Sequence, residues 1–297
     1  MSSMASTRTL QCMEIVGGNS AVAQSVRTPG LDMYVQSWPH HGDVGGDIHY
    51  FSVCGSGRVT RLAIADVSGH GAEASEAAVW LRGLMRKHIN VLDQREFARQ
   101  INRELLAGGA RFGPGRFVTA ALMTYFAPTG HLIVCNGGHP PPLWYSAPAA
   151  RWSLLTPDTP DRGPGLEAET ARYLGRRVSN LPLGVIDGTD YVQFAVKLSP
   201  GDLVVVYTDG LAEARNPAGQ MLGLRGLLDV AAAAGADTDI LRLSQRLMEA
   251  VMEYRGGQVA DDDLTMVVMR HSADRPAMPT LRGLMRALPR LLGFRRR

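Results

Sequence analysis

From Leu31 onward, hydrophobic and polar positions fall into recognisable periods. Leu31-Asp32-Met33-Tyr34-Val35-Gln36 alternates with period two and predicts a strand. Ile48 to Val53 and Arg58 to Ala65 read as a hairpin joined by Cys54-Gly55-Ser56-Gly57. The second of these runs into the loop Asp66-Val67-Ser68-Gly69-His70-Gly71. The period then changes. Ala74, Ala77, Ala78, Leu81 and Met85 form one stripe of a helix over residues 72–89. Phe97, Ile101 and Leu105 recur every four residues in a second helix, with Asp93 as its N-cap and Glu96 placed to complete a capping box. Strands follow at Phe117 to Phe126, His131 to Cys135 and Leu143 to Ser146. A Pro-, Gly- and acid-rich loop covers 156–170, and further strands run from Tyr191 to Leu198 and Leu203 to Thr208. Leu222 to Ala234 and Asp239 to Tyr254 predict helices, and Leu264 to Met269 predicts a closing strand. Strands surround blocks of two helices instead of alternating with them one for one. That order favours an antiparallel α+β architecture over a doubly wound parallel sheet.

Three regions emerge: a weakly periodic extension over 1–30, a domain over 31–271, and a tail over 272–297. The tail carries six arginines and no acid between Pro276 and Arg297. As a helix it places Leu281, Leu284, Met285, Leu288, Leu291 and Leu292 opposite Arg282, Arg286 and Arg290, with Pro289 interrupting the pattern. Such a stretch suits an anionic membrane surface or a partner protein, and equally a short helix folded back on its own domain.

Composition narrows the function classes. Hydrophobic residues make up 45% and charged residues 20%, an ordinary globular mix. A net charge of +3 is too weak to argue for nucleic acid. Cys12, Cys54 and Cys135 are far apart and form no CxxC pair, which disfavours a zinc site or disulfide framework and fits a cytoplasmic protein. No apolar run reaches the roughly 18 residues of a membrane span.

The chemical signal is a set of acids at strand ends. Asp47 follows Gly45-Gly46, Asp66 ends a strand before a Gly-rich loop, and Asp209 ends another before Gly210. Asp261-Asp262-Asp263 precede a third. Converging carboxylates repel each other, and burial penalises their charge. A divalent cation removes that cost, and Mg²⁺ or Mn²⁺ prefers oxygen donors.

These acids lie in an ordered set of motifs. Val44-Gly45-Gly46-Asp47 comes first, then Ala65-Asp66-Val67-Ser68-Gly69-His70-Gly71, Phe117-Val118-Thr119-Ala120 and Asn136-Gly137-Gly138-His139-Pro140-Pro141. Leu181-Pro182-Leu183-Gly184, Pro200-Gly201-Asp202, Tyr207-Thr208-Asp209-Gly210-Leu211-Ala212-Glu213 and Asp262-Asp263-Leu264-Thr265 follow. In this order, across residues 31–271, the chain resembles the PPM, or protein phosphatase 2C-like, metal-dependent Ser/Thr phosphatases, in their bacterial SpoIIE/RsbU-like branch. The resemblance implies a four-layer αββα sandwich of two antiparallel sheets flanked by helices, with two Mn²⁺ or Mg²⁺ ions at one edge. It implies that Asp66 bridges both ions and that the Val67 carbonyl and Asp47 serve one of them. Asp209 and Asp262 serve the other, with Asp263 in support and Asp261 a bystander. His70 and His139 are the candidates for a general acid, and each also reads as an ordinary loop histidine.

The resemblance further implies hydrolysis of phosphoserine or phosphothreonine by metal-activated water, on a phosphoprotein such as a STAS-like anti-sigma-factor antagonist in a partner-switching pathway. With about 30 residues ahead of the domain, regulation is expected from a separate protein, from the tail or from homodimerisation. A shift of the helices at 72–90 and 93–107 is expected to move Asp66. Localisation is expected to be cytoplasmic, with the tail able to hold the protein at the inner membrane face. The rival reading is a catalytically weak module that binds a phosphoprotein.

Overall fold

The computed structural model describes residues 7–40, 42–54, 57–109, 112–113, 115–157, 180–272 and 274. The sequence readings on the loop at 158–170 and on the arginine-rich tail lie outside the described residues. The chain runs β1 (Arg8–Thr9), β2 (Ile15–Ser20), β3 (Val22–Thr28), β4 (Leu31–Trp38), β5 (Val44–Cys54) and β6 (Val59–Val67), then α1 (Ala72–Lys87) and α2 (Gln94–Gly108). Next come β7 (Val118–Phe126), β8 (His131–Gly137), β9 (Leu143–Ser146), β10 (Arg151–Leu154), β11 (Gln193–Lys197) and β12 (Leu203–Tyr207). A single helical turn, α3 (Asp209–Ala212), precedes α4 (Gly223–Ala234), α5 (Ile240–Arg255) and β13 (Leu264–His271).

Among the described residues the strands form two sheets, ordered β1-β3-β4-β13-β12-β9-β10 and β11-β8-β7-β6-β5-β2. Every pairing is antiparallel except the two-residue pairing of β1 with β3. The period-two alternation explains the layering. Val204 and Val206 of β12 point into the core between the sheets, against Phe51, Leu62 and Met123. Leu203, Val205 and Tyr207 of the same strand point outward, under Leu227 of α4 and Leu243, Leu247 and Val251 of α5. On the other sheet, Ile48, Ala63 and Ala65 face Leu81 and Met85 of α1 and Phe97 and Ile101 of α2. With both faces of each sheet covered, the result is the expected αββα sandwich.

Three local readings change. Residues 8–28, read from the sequence as part of a weakly periodic extension, form three strands that enter both sheets. The pairing of β2 with β5 is carried by a backbone contact that apolar alternation does not report: a Cβ at Gly17 would meet the His49 carbonyl at 2.2 Å. The sequence reading has no strand at β10, which is only four residues long. At α2, Asp93 caps as expected, accepting from the Arg95 amide at 2.9 Å. Glu96 does not complete a capping box; it receives Gln100 at 3.0 Å and Arg103 at 3.0 Å along its own helix. Among the described residues no helix is long and apolar enough to cross a membrane.

Candidate metal centre

Antiparallel pairing brings the acids together. The strand β6 ends beside the start of β5, and β12 ends beside the start of β13. Acids placed at those ends by the sequence therefore meet at one edge of the sandwich, Asp47 and Asp66 from one sheet, Asp209 and Asp262-Asp263 from the other. A hydrogen bond crosses between the sheets there: the Thr208 hydroxyl donates to Asp47 Oδ2 at 2.8 Å. The same hydroxyl accepts the Thr265 amide at 3.0 Å, so Asp47 is tied to the β12–β13 ladder.

The carboxylates feel each other. Burial and the charges of Asp209, Asp262 and Asp263 push Asp66 up to about 8. Burial, with Asp262 and Glu213, raises Asp209 to about 6. Burial also holds Asp47 well above the ordinary carboxylate range, reinforced by Asp66 and opposed by Thr208 and Thr265. Asp262 is raised as well, first by burial. Glu213, which the sequence reading left without a role, belongs to this field.

Asp263 has a distinct task. Its Oδ1 accepts the His40 amide at 2.6 Å, and its Oδ2 accepts the amides of Gly46 at 2.6 Å and Asp47 at 3.3 Å. It clamps the Gly45-Gly46-Asp47 backbone against the second sheet. The glycines are required by this closeness. A Cβ at Gly45 would lie 2.2 Å from Asp263 Oδ2, and one at Gly46 would lie 3.0 Å from the Val67 carbonyl oxygen and 3.7 Å from Asp66 Oδ1. Asn19 of β2 adds a tie by donating to the Gly45 carbonyl at 2.9 Å and to Ser75 Oγ of α1 at 3.0 Å.

The loop after Asp66 is braced by a residue the sequence reading missed. Arg116 donates to the Ser68 carbonyl at 3.0 Å and pairs with Glu73 in the first turn of α1. The Ser68 hydroxyl accepts the Phe117 amide at 2.9 Å. His70 is exposed on this loop. His139 is in a different situation. It is 5% exposed, shares a 2.8 Å hydrogen bond with Thr119 through Nδ1, and burial pushes it down to about 3. Burial therefore disfavours its protonated form, which weighs against His139 as the general acid.

Other motifs turn out to build the fold around the site. Asn136 closes its loop on the His139 backbone at 2.7 and 2.8 Å, and Leu183 pairs with Val118. Asp202, 1% exposed, receives the amides of Ala147 and Ser199 and the indole of Trp144.

Among the described residues no three His, Cys, Asp or Glu side chains close on a common point, so the acids share a field and not a finished coordination shell. Their chemistry nevertheless suits a hard divalent cation. The donors are oxygens, their charges oppose one another, and Gly46 leaves the Val67 carbonyl open beside Asp66.

The family model for Stage II sporulation protein E (SpoIIE) matches residues 56–272, a stretch that contains Asp66, Asp209 and Asp262 and begins after Asp47. Stage II sporulation protein E of Bacillus subtilis is 31% identical over 102 residues, which cover 34% of this chain and 12% of that protein. Protein IcfG of Synechocystis is 26% identical over 88 residues, 29% of this chain and 13% of that one. The chain thus aligns with about an eighth of each of these longer relatives. Among solved structures, the RsbU and RsbW domains of Rv1364c from Mycobacterium tuberculosis superpose with a TM-score of 0.66 at 24% identity, covering 92% of this chain and 71% of that one. The PP2C phosphatase domain of B. subtilis SpoIIE, with a fragment of its regulatory domain, gives 0.60 at 21% identity, with coverages of 88% and 64%. RsbX in complex with magnesium gives 0.57 at 16%, with coverages of 84% and 100%. Family match and fold agree, and the chain belongs to the SpoIIE family, carrying a PP2C-like phosphatase domain of the SpoIIE/RsbU type.

Proposed function

We propose that this domain is a Mn²⁺- or Mg²⁺-dependent phosphoprotein phosphatase acting on phosphoserine or phosphothreonine. The observation that carries the proposal is the set of mutually raised carboxylates, Asp47, Asp66, Asp209 and Asp262, gathered from two sheets at one edge. Such an arrangement is unfavourable by itself and becomes favourable around two cations. The similarly folded RsbX was solved in complex with magnesium, which supports the same ion class here.

Asp66 and the Val67 carbonyl from β6, Asp47 from β5, Asp209 from α3 and Asp262 before β13 are the groups that would hold the ions. When bound, such ions supply hydroxide near neutral pH and neutralise charge on phosphoryl oxygens. The remaining work belongs to the chain. Thr208 donates to Oδ2 of Asp47 and holds its carboxylate in place. Asp263 fixes the backbone that carries Asp47, and Arg116 fixes the loop that follows Asp66. His70, exposed on that loop, is the group we assign to protonating the departing serine or threonine oxygen.

For substrate, we propose a small STAS-like anti-sigma-factor antagonist in a partner-switching pathway. The support is the similarity to a solved pair of RsbU and RsbW domains. The ties from Asn19 to both Gly45 and Ser75 give α1 a mechanical link to the site, in keeping with control through α1 and α2.

The test is hydrolysis of p-nitrophenyl phosphate and a phosphoserine peptide by wild type and Asp66→Asn, each with Mn²⁺ or EDTA. Turnover that needs Mn²⁺ and is lost in the variant is expected. Absence of turnover by wild type with either ion and with a phosphorylated STAS-domain protein would favour the binding-module reading instead.

A further inference from the structure

Arg255, the last residue of α5, is 2% exposed and lies beneath the acidic edge. Its Nη2 donates to the Gly210 carbonyl at 2.9 Å. Its Nη1 reaches Asp261 Oδ1 at 3.2 Å and the Val259 carbonyl at 3.4 Å. One guanidinium therefore joins two segments that each carry an acid of the site: the turn Asp209-Gly210 and the loop leading through Asp261 to Asp262. These segments are already in contact, since a Cβ at Gly210 would sit 2.3 Å from the Asp263 carbonyl oxygen.

The arrangement is not what packing alone would select. A buried guanidinium is costly unless its donors are filled, and Arg255 Nε is buried with no hydrogen-bond partner among the described residues. Its one carboxylate partner, Asp261, is 70% exposed, where an ion pair contributes little. The neutral partner, the Gly210 carbonyl, is the more telling one. The helix α3 is a single turn, and its carbonyls lack the acceptor pattern of a longer helix. The planar fork of Arg holds that carbonyl and the acidic loop through two separate nitrogens, a span that the three donors of a Lys ammonium, all on one atom, do not match. The base of the side chain is fixed too. Gly256 ends α5 with φ 61° and packs so closely on Pro217 that a Cβ would lie 2.6 Å from its Cγ.

We infer that Arg255 is a positioning residue that sets the spacing of Asp209 and Asp262 for the cation they share. The inference rests on the metal-centre reading above and deepens it. It makes a prediction of sign. A buried positive charge near a cation site repels the cation, so a purely electrostatic Arg255 would weaken Mn²⁺ binding, and its removal would tighten it. A positioning Arg255 does the reverse.

The experiment is calorimetric titration of Mn²⁺ into the full chain, wild type against Arg255→Met and Arg255→Lys. Circular dichroism and metal-free melting temperature confirm folding of each variant. We expect Arg255→Met to weaken the affected Mn²⁺ site at least tenfold, about 1.4 kcal/mol. We expect Arg255→Lys, which keeps the charge and loses the fork, to weaken it as well. Persistence of both losses in 0.5 M NaCl separates spacing from screened charge effects. Unchanged or tighter binding in folded variants overturns the positioning role and leaves the metal centre intact. Failure of both variants to fold would assign Arg255 to folding and overturn it equally. Absence of Mn²⁺ binding by wild type overturns the metal-centre reading itself.

Discussion

Without a bound cation, this protein should lose stability as pH rises, and Asp66 should be the main reason. Its carboxyl titrates near 8 in the fold, against 3.8 for the free side chain. Between those values the folded state holds a proton that the unfolded state has released. Stability from this group is therefore complete below pH 4 and is lost as pH rises through 8. One such proton gives a limiting slope of about 1.4 kcal/mol per pH unit. From pH 5 to pH 8 the loss approaches about 4 kcal/mol, or roughly 8–16 °C in Tm for a domain of this size. Asp209, raised to about 6, adds to the fall below pH 6. Replacing Asp66 with Asn removes the titrating charge and keeps the shape. The assay is thermal melting of EDTA-treated wild type and Asp66→Asn at pH 5, 6, 7 and 8. Titrating groups remote from Asp66 cancel in the difference between the two proteins, and Asp47, which Asp66 raises, shifts in the same direction as the removed charge. The variant should match wild type near pH 5 and exceed it increasingly toward pH 8. Adding Mn²⁺ should narrow the gap at pH 8 by about 2.7 kcal/mol at 100 times Kd, because only wild type keeps the full set of donors. A difference that stays flat with pH would refute the electrostatic picture of the site, as would a metal-free variant less stable than wild type at pH 8.

Three further outcomes follow from specific contacts. Thr208→Val leaves Asp47 Oδ2 without its donor in a buried setting, so urea unfolding should show a loss of about 1–3 kcal/mol together with weaker Mn²⁺ binding. Gly210→Ala drives a methyl group into the Asp263 carbonyl; it should separate Asp209 from Asp262 and reduce Mn²⁺-dependent phosphatase activity at least tenfold, read from kcat/KM. Asp202→Ala strips the acceptor from two backbone amides and the Trp144 indole; denaturant melts should show about 2–4 kcal/mol of destabilisation with Mn²⁺ affinity unchanged in the folded protein.

Much of this architecture is legible in the sequence because burial on both faces leaves a clear trace. The unbroken apolar run Leu203 to Tyr207 and the periodic Ala74 to Met85 stripe can be placed from the sequence, and strand-end acids converge once pairing is antiparallel. The parts that escape are those where backbone or charge replaces apolar patterning. The strand β2, Ile15-Val16-Gly17-Gly18-Asn19-Ser20, is rich in Gly, Asn and Ser, and its pairing with β5 depends on close backbone approach at Gly17. The difference between Asp262 in the acidic field and Asp263 as a backbone clamp lies in which amides each carboxylate meets, so a run of three aspartates looks uniform until the chain is folded. Arg255 and Arg116 carry no local signal, because their partners at Gly210 and Ser68 lie 45 and 48 positions away. His139 shows the opposite case. It sits in a conspicuous motif, yet the fold buries it against Thr119, which disfavours its charged form.

The most direct test of the central claim is a crystal structure of the protein grown with Mn²⁺, with data collected at the manganese absorption edge. The account predicts two anomalous peaks at the sandwich edge, both within coordination distance of the Asp66 carboxylate, one beside Asp47 and the Val67 carbonyl and the other beside Asp209 and Asp262. No peak within reach of Asp66 at saturating Mn²⁺ would contradict it.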